Sequence, residues 1–149
     1  MTTEERRFPD RPVIGVGIVV LRGEDVLLIR RPLPDGTSIW SIPGGAQELG
    51  ETTREAAARE LHEETGVTAE IGPLLDVVDF IEGARSRPEY HYTLIDYLGF
   101  WRTGEPNAAS DALEARFVPH AELGAYALRS ETLRVIRLGL ARQKTEERA

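Results

Sequence analysis

Residues 52–65, "TTREAAARELHEET", constrain the fold of this chain more than any other stretch. Thr52 and Glu55 stand three apart, as in a capping box, alanines fill the next turn, and Gly66 occupies the position where helices stop. A helix over 52–65 is therefore expected. Its surroundings read differently. "GVGIVVLRGEDVLLIRR" predicts two strands joined around residues 22–25, and "IWSIPGG" predicts a short strand running into a glycine turn. After the helix, "LLDVVDFIE" and "HYTLIDYLGFW" read as strands separated by the polar loop "GARSRPE". "EARFVP" reads as a short strand, "HAEL" as a turn of helix, and 131–142 as a second, amphipathic helix. Helices set among hairpins imply a layered α/β or α+β domain with a mixed sheet.

The 149 residues fit one domain, with residues 1–12 as a polar lead-in and 143–149 as a charged tail, both expected to be flexible. A hydrophobic share of 41% suffices for a core without disulfides or a structural metal, and the absence of cysteine excludes thiolate chemistry. The first residues contain no apolar h-region and no run is long enough to span a bilayer, so the cytoplasm is the expected location, with no membrane partner. A net charge of -7, from 25 acids and 18 bases, opposes stable nucleic-acid binding through a basic surface. An anionic substrate would need arginines or bound cations.

The helix itself suggests cations. Glu60, Glu63 and Glu64 lie at i, i+3 and i+4, so they share one face, while Ala57 and Leu61 lie on another stripe that can pack on the sheet. At ~6 Å and an effective dielectric near 20, each pair repels by roughly 3 kcal/mol before screening. Nearby arginines and solvent are one remedy; a divalent cation held by hard oxygen ligands is the other. Spacing decides between them. Gly45, Glu51, Arg59, Glu60, Leu61, Glu63, Glu64, Gly66 and Val67 stand in a register that would arise by chance on the order of once in ten million.

Residues 45–67 resemble the Nudix box, the signature of hydrolases acting on a nucleoside diphosphate linked to another group. The wider chain is similar to MutT-type nucleotide pyrophosphatases and bacterial ADP-ribose pyrophosphatases. The resemblance implies an α/β/α sandwich with a mixed β-sheet, and water attack on a pyrophosphate link supported by Mg²⁺ or Mn²⁺. It makes Glu60, Glu63, Glu64 and the carbonyl of Gly45 metal ligands. Arg59 would orient Glu60, a candidate general base, and Glu51 would brace loop and helix. Gly44 and Gly45 would turn the chain close to the ion, and Gly66 would end the helix. Glu114, with Asp111 behind it, is the alternative base from a later loop.

Substrate contacts are expected from Arg30, Arg31, Trp40 and Tyr92, the partner is a small nucleotide, and the chain is compatible with a homodimer. The positions fifteen and sixteen after Val67 carry Glu82 and Gly83 rather than the proline of the best-defined ADP-ribose pyrophosphatases. Two other readings accompany the hydrolase: a catalytically silent Nudix-like nucleotide sensor, and an RNA 5'-end pyrophosphohydrolase.

Overall fold

The computed structural model describes residues 6–148. Seven strands and two helices follow one another as β1 (Val13–Arg22), β2 (Asp25–Pro32), β3 (Ser38–Ser41), β4 (Gly44–Ala46), α1 (Thr53–Thr65), β5 (Thr68–Ala84), β6 (Arg87–Thr103), β7 (Glu114–Pro119) and α2 (Ser130–Arg148). A 3₁₀ segment (His120–Tyr126) links β7 to α2. The sheet runs β3-β2-β1-β6-β5, with β4 paired to β1 and β7 to β2. Only the β1–β6 pairing is parallel, so the sheet is mixed as expected.

Both faces of β1 are covered, which explains its nearly continuous apolar sequence. Val16, Ile18 and Val20 pack with Ala56, Ala57 and Leu61 of α1. Val19 and Leu21 pack on the opposite side with Val135 and Ile136 of α2. The result is the expected α/β/α layering.

Three expectations need correction. The loop expected at 83–89 is mostly strand: β5 and β6 continue to Ala84 and from Arg87, and the intervening residues form only a tight turn. Polar composition masked a paired ribbon. The second helix does not end at 142 but continues to Arg148, because Gln143 is buried and its amide donates to the Gly23 carbonyl at 2.7 Å. Part of the lead-in is also docked: the Phe8 N–H donates to the Glu89 carbonyl at 2.7 Å, and the Arg7 guanidinium pairs with the Glu89 carboxylate. Residues 1–5 and 149 lie outside the described residues.

Candidate active site

The site begins with the caps of α1, because they fix the rotation of the helix. The Glu55 N–H donates to the Thr52 hydroxyl at 3.1 Å, and the Thr52 N–H donates back to the Glu55 carboxylate at 3.0 Å. At the other end Gly66 adopts φ 72°, a left-handed conformation natural to glycine, and its N–H reaches the His62 carbonyl. With Ala56, Ala57 and Leu61 buried against the sheet, Glu60 and Glu64 are turned toward β4.

There the two glycines leave room. A Cβ on Gly45 would stand 2.5–2.7 Å from the Glu60 carboxylate, and one on Gly44 would stand 2.0 Å from the Val16 carbonyl oxygen. The Gly44 N–H donates to Glu64 Oε1 at 2.8 Å. Helix, turn and β1 are thereby locked together at the glutamate face.

Two arginines compensate the clustered acids. Arg59 gives two hydrogen bonds to Glu51, at 2.7 and 3.0 Å, one each to Glu60 and Glu63 at 2.9 and 3.2 Å, and one to the Ala46 carbonyl at 3.0 Å. These bonds, led by those from Arg59, hold the Glu51 carboxyl down to about 2 and keep the guanidinium charged. Arg31 reaches across from β2, donating to Glu64 at 2.7 Å and to the carbonyls of Gly44 and Ile42 at 2.8 and 3.2 Å. Burial nevertheless pushes the Glu64 carboxyl up to about 7 against the pull of Arg31 and the Gly44 N–H.

Among the described residues no three acidic or histidine side chains already converge at ion-binding distance. Glu63 leans toward Arg59 and stays half-exposed, whereas Glu60 and Glu64 line the interior. The donors are oxygen alone, and the missing Cβ of Gly45 keeps backbone space beside Glu60, so the set fits a hard divalent cation.

A cavity of about 680 Å³ opens beside these groups, its wall including Glu60, Glu64, Gly44 and Gly45. Of the expected substrate residues, Trp40 and Tyr92 line it. Arg31 lies in the wall, but its guanidinium is committed to Glu64 and the turn carbonyls. Arg30 points elsewhere, donating to Glu114 at 2.8 Å and to the Ser38 hydroxyl at 2.9 Å. Glu114 is therefore tied up with Arg30 across the β2–β7 pair, its carboxyl held below the usual range chiefly by that bond. Asp111, not Glu114, lies in the cavity wall.

The cavity also contains an acid that sequence reasoning passed over. Asp96 sits in mid-β6, is 6% exposed, and faces the cavity. Burial first, then the nearby Asp76, push its carboxyl up to about 6, opposed by Arg134. In this direction the native state takes up the proton more readily than the unfolded chain, so stability falls as pH rises from 3.8 to about 6 and the full penalty is present above that range. The separation corresponds to about 3 kcal/mol. Asp96→Asn is expected to be more stable than the parent by about 1–3 kcal/mol at pH 8, with the difference vanishing near pH 4. Urea denaturation at both pH values checks this, and a pH-independent difference would contradict it.

The family model described as NUDIX domain matches residues 11–138. The ADP-ribose pyrophosphatase of Methanocaldococcus jannaschii is 33% identical over 106 residues, covering 71% of this chain and 61% of that protein. The RNA pyrophosphohydrolase of Sphingopyxis alaskensis is 37% identical over 92 residues, covering 62% of this chain and 52% of its own length. The chain thus spans between about half and three fifths of these relatives. The crystal structure of a MutT NUDIX hydrolase from Burkholderia pseudomallei is 28% identical, with a TM-score of 0.73 over 87% of this chain and 98% of that one.

Proposed function

The chain belongs to the Nudix family, and from this premise we propose that it is a divalent-metal-dependent pyrophosphohydrolase that cleaves the P–O–P link of a nucleoside di- or triphosphate derivative by water attack. The observation that carries the reading is the meeting of Glu60 and Glu64 with the Gly44–Gly45 turn at the wall of one large cavity. Glu60, Glu63, Glu64 and the Gly45 carbonyl would hold the ion, Mg²⁺ or Mn²⁺. When bound, such an ion neutralises phosphate charge and promotes ionisation of water.

The chain's own groups supply the rest. Arg59 fixes the Glu60 carboxylate through a 2.9 Å bond while Glu51 anchors the opposite edge of the guanidinium, so Glu60 is held in one orientation. Glu60 suits the role of proton acceptor better than Glu114, because it lines the cavity whereas Glu114 is held by Arg30. Arg31 keeps the turn carbonyls and Glu64 in register. Trp40 and Tyr92 give the cavity aromatic wall area suited to a nucleoside.

The test is a panel of nucleoside triphosphates, ADP-ribose and triphosphorylated RNA, incubated with Mg²⁺ or Mn²⁺ and resolved by chromatography. Cleavage of at least one small nucleotide, abolished by a chelator, is expected. The cation alone should also raise the thermal midpoint, since an ion at a hundred times its dissociation constant adds about 2.7 kcal/mol. No product from any compound would refute the hydrolase reading. The relative named RNA pyrophosphohydrolase motivates including the RNA, and preferential cleavage of RNA would replace the small-nucleotide reading.

A further inference from the structure

The carboxylate of Asp96 has no hydrogen bond or ion pair from any described residue; the residue is 6% exposed, and its oxygens open onto the cavity rather than into the packed core. Arg134, the cation that influences it, is committed to Asp76 at 2.5 Å and to Glu131 at 3.0 Å. Asp96 stands opposite Gly17 in the parallel β1–β6 register, and a Cβ on Gly17 would lie 2.3 Å from Asp96 Oδ1. Glycine at 17 therefore makes room for the carboxylate, which faces the cavity that also reaches Glu60 and Glu64. An unpartnered buried acid is unfavourable by itself, and a ligand that supplies donors removes the penalty.

The chemistry of the surroundings narrows that ligand. An ionised carboxylate only accepts hydrogen bonds, so phosphate and carboxylate groups are repelled and N–H or O–H donors are drawn in. Along the β5–β6 face the cavity wall runs from Asp96 past Val78 and Leu94 to Phe80 and Tyr92, whose ring centroids are 6.2 Å apart, an apolar strip that favours a flat heteroaromatic ring over a sugar. Two adjacent carboxylate oxygens match two adjacent donors, as in bidentate pairs generally. Guanine presents N1–H and the 2-amino group side by side. Adenine and cytosine place a single amino donor beside a ring acceptor, and the N3–H of uracil is flanked by carbonyls.

Resting on the nucleotide-hydrolase reading, we infer that Asp96 is a specificity-determining residue whose carboxylate accepts hydrogen bonds from N1–H and the 2-amino group of a guanine-class base. The base then lies against the β5–β6 wall while the phosphates extend toward Glu60 and Glu64. Gly17 is the second requirement, since any side chain there collides with the reading group.

The test uses GMP, IMP and AMP, which contain no P–O–P link, in calorimetric titrations of the intact protein with Mg²⁺, beside kcat/KM for GTP, ITP and ATP. IMP is GMP without the 2-amino donor. Losing part of a bidentate base contact is expected to weaken binding about 10- to 100-fold, so GMP should exceed IMP and AMP by that factor. Asp96→Asn, which offers one acceptor and one mismatched donor, should bring GMP to within about threefold of IMP. Equal affinity of the parent for GMP and IMP overturns the inference without needing any variant, as does an unchanged GMP to IMP ratio in folded Asp96→Asn. If GMP is preferred but no triphosphate is cleaved, the base-reading role stands and the hydrolase reading falls. If triphosphates are cleaved without preference, the reverse holds.

Discussion

Glu64→Gln is expected to lower turnover at least about 100-fold while leaving the protein folded. Changing groups that only orient the ligands of a metal ion already loses about 10- to 100-fold, and Glu64 is proposed to touch the ion directly. Its geometry shows why an amide is a poor substitute. One oxygen takes the Gly44 N–H at 2.8 Å, and the other takes Arg31 at 2.7 Å. Glutamine can keep the first bond, which preserves the turn, but its amino group then faces the Arg31 guanidinium and offers no lone pair to a cation. Partly exposed Arg31 can shift toward solvent and retain its bonds to the Gly44 and Ile42 carbonyls, so the fold should survive. Glu48→Gln provides the control: its side chain is 68% exposed and only 3.6 Å from Arg59, and turnover should match the parent. Steady-state rates with Mg²⁺ and thermal midpoints check both variants. Parental turnover in Glu64→Gln would remove this residue from the ion site.

The contrast between Glu64 and Asp96 shows which parts of the molecule could be read from sequence. α1, its caps and the Gly44–Gly45 turn depend on contacts between residues close in the chain, so spacing alone predicts them. The partners of those residues are not local. Arg31 meets Glu64 from 33 positions away, and it emerged as an internal brace rather than the expected phosphate contact. Likewise, Arg30 and Glu114 were expected as separate site residues, but the β2–β7 register places them directly opposite each other. Asp96 stood inside an apolar strand with no motif. Its importance depends on meeting Gly17 across a parallel pairing 79 residues apart, a relation no local pattern carries. A glycine within β1 together with an acid in the apolar part of β6 was the available signal, and it becomes legible only once the two strands are aligned. The 83–89 ribbon and the extended α2 were missed for a related reason: pairing and a buried Gln143 overrode polar composition.

The two glycines of the turn are expected to fail in opposite ways when a methyl group is added. In Gly44→Ala the new Cβ would meet backbone, the Val16 carbonyl oxygen at 2.0 Å and the Gly17 Cα at 2.9 Å. Neither can rotate aside, because β4 is paired to β1 at Gly15–Ala46, Val16–Gly45 and Gly17–Gly44. Relief requires pulling β4 off β1 and losing the Gly44 N–H bond to Glu64, so a loss of about 3 kcal/mol or more is expected, near the upper end for single substitutions. In Gly45→Ala the Cβ meets the end of a side chain, the Glu60 carboxylate at 2.5–2.7 Å. That group can swing away by rotamer change, so stability should fall by about 1 kcal/mol or less. The displacement moves the proposed proton acceptor off its bond to Arg59, and misplacing a reacting group by an ångström can slow a reaction about 100-fold. Urea denaturation and steady-state kinetics on both variants should therefore show stability lost at 44 and turnover lost at 45. A Gly45→Ala protein with parental turnover would mean that catalysis does not require Glu60 in this position, and parental stability in Gly44→Ala would mean that β4 does not sit this close to β1.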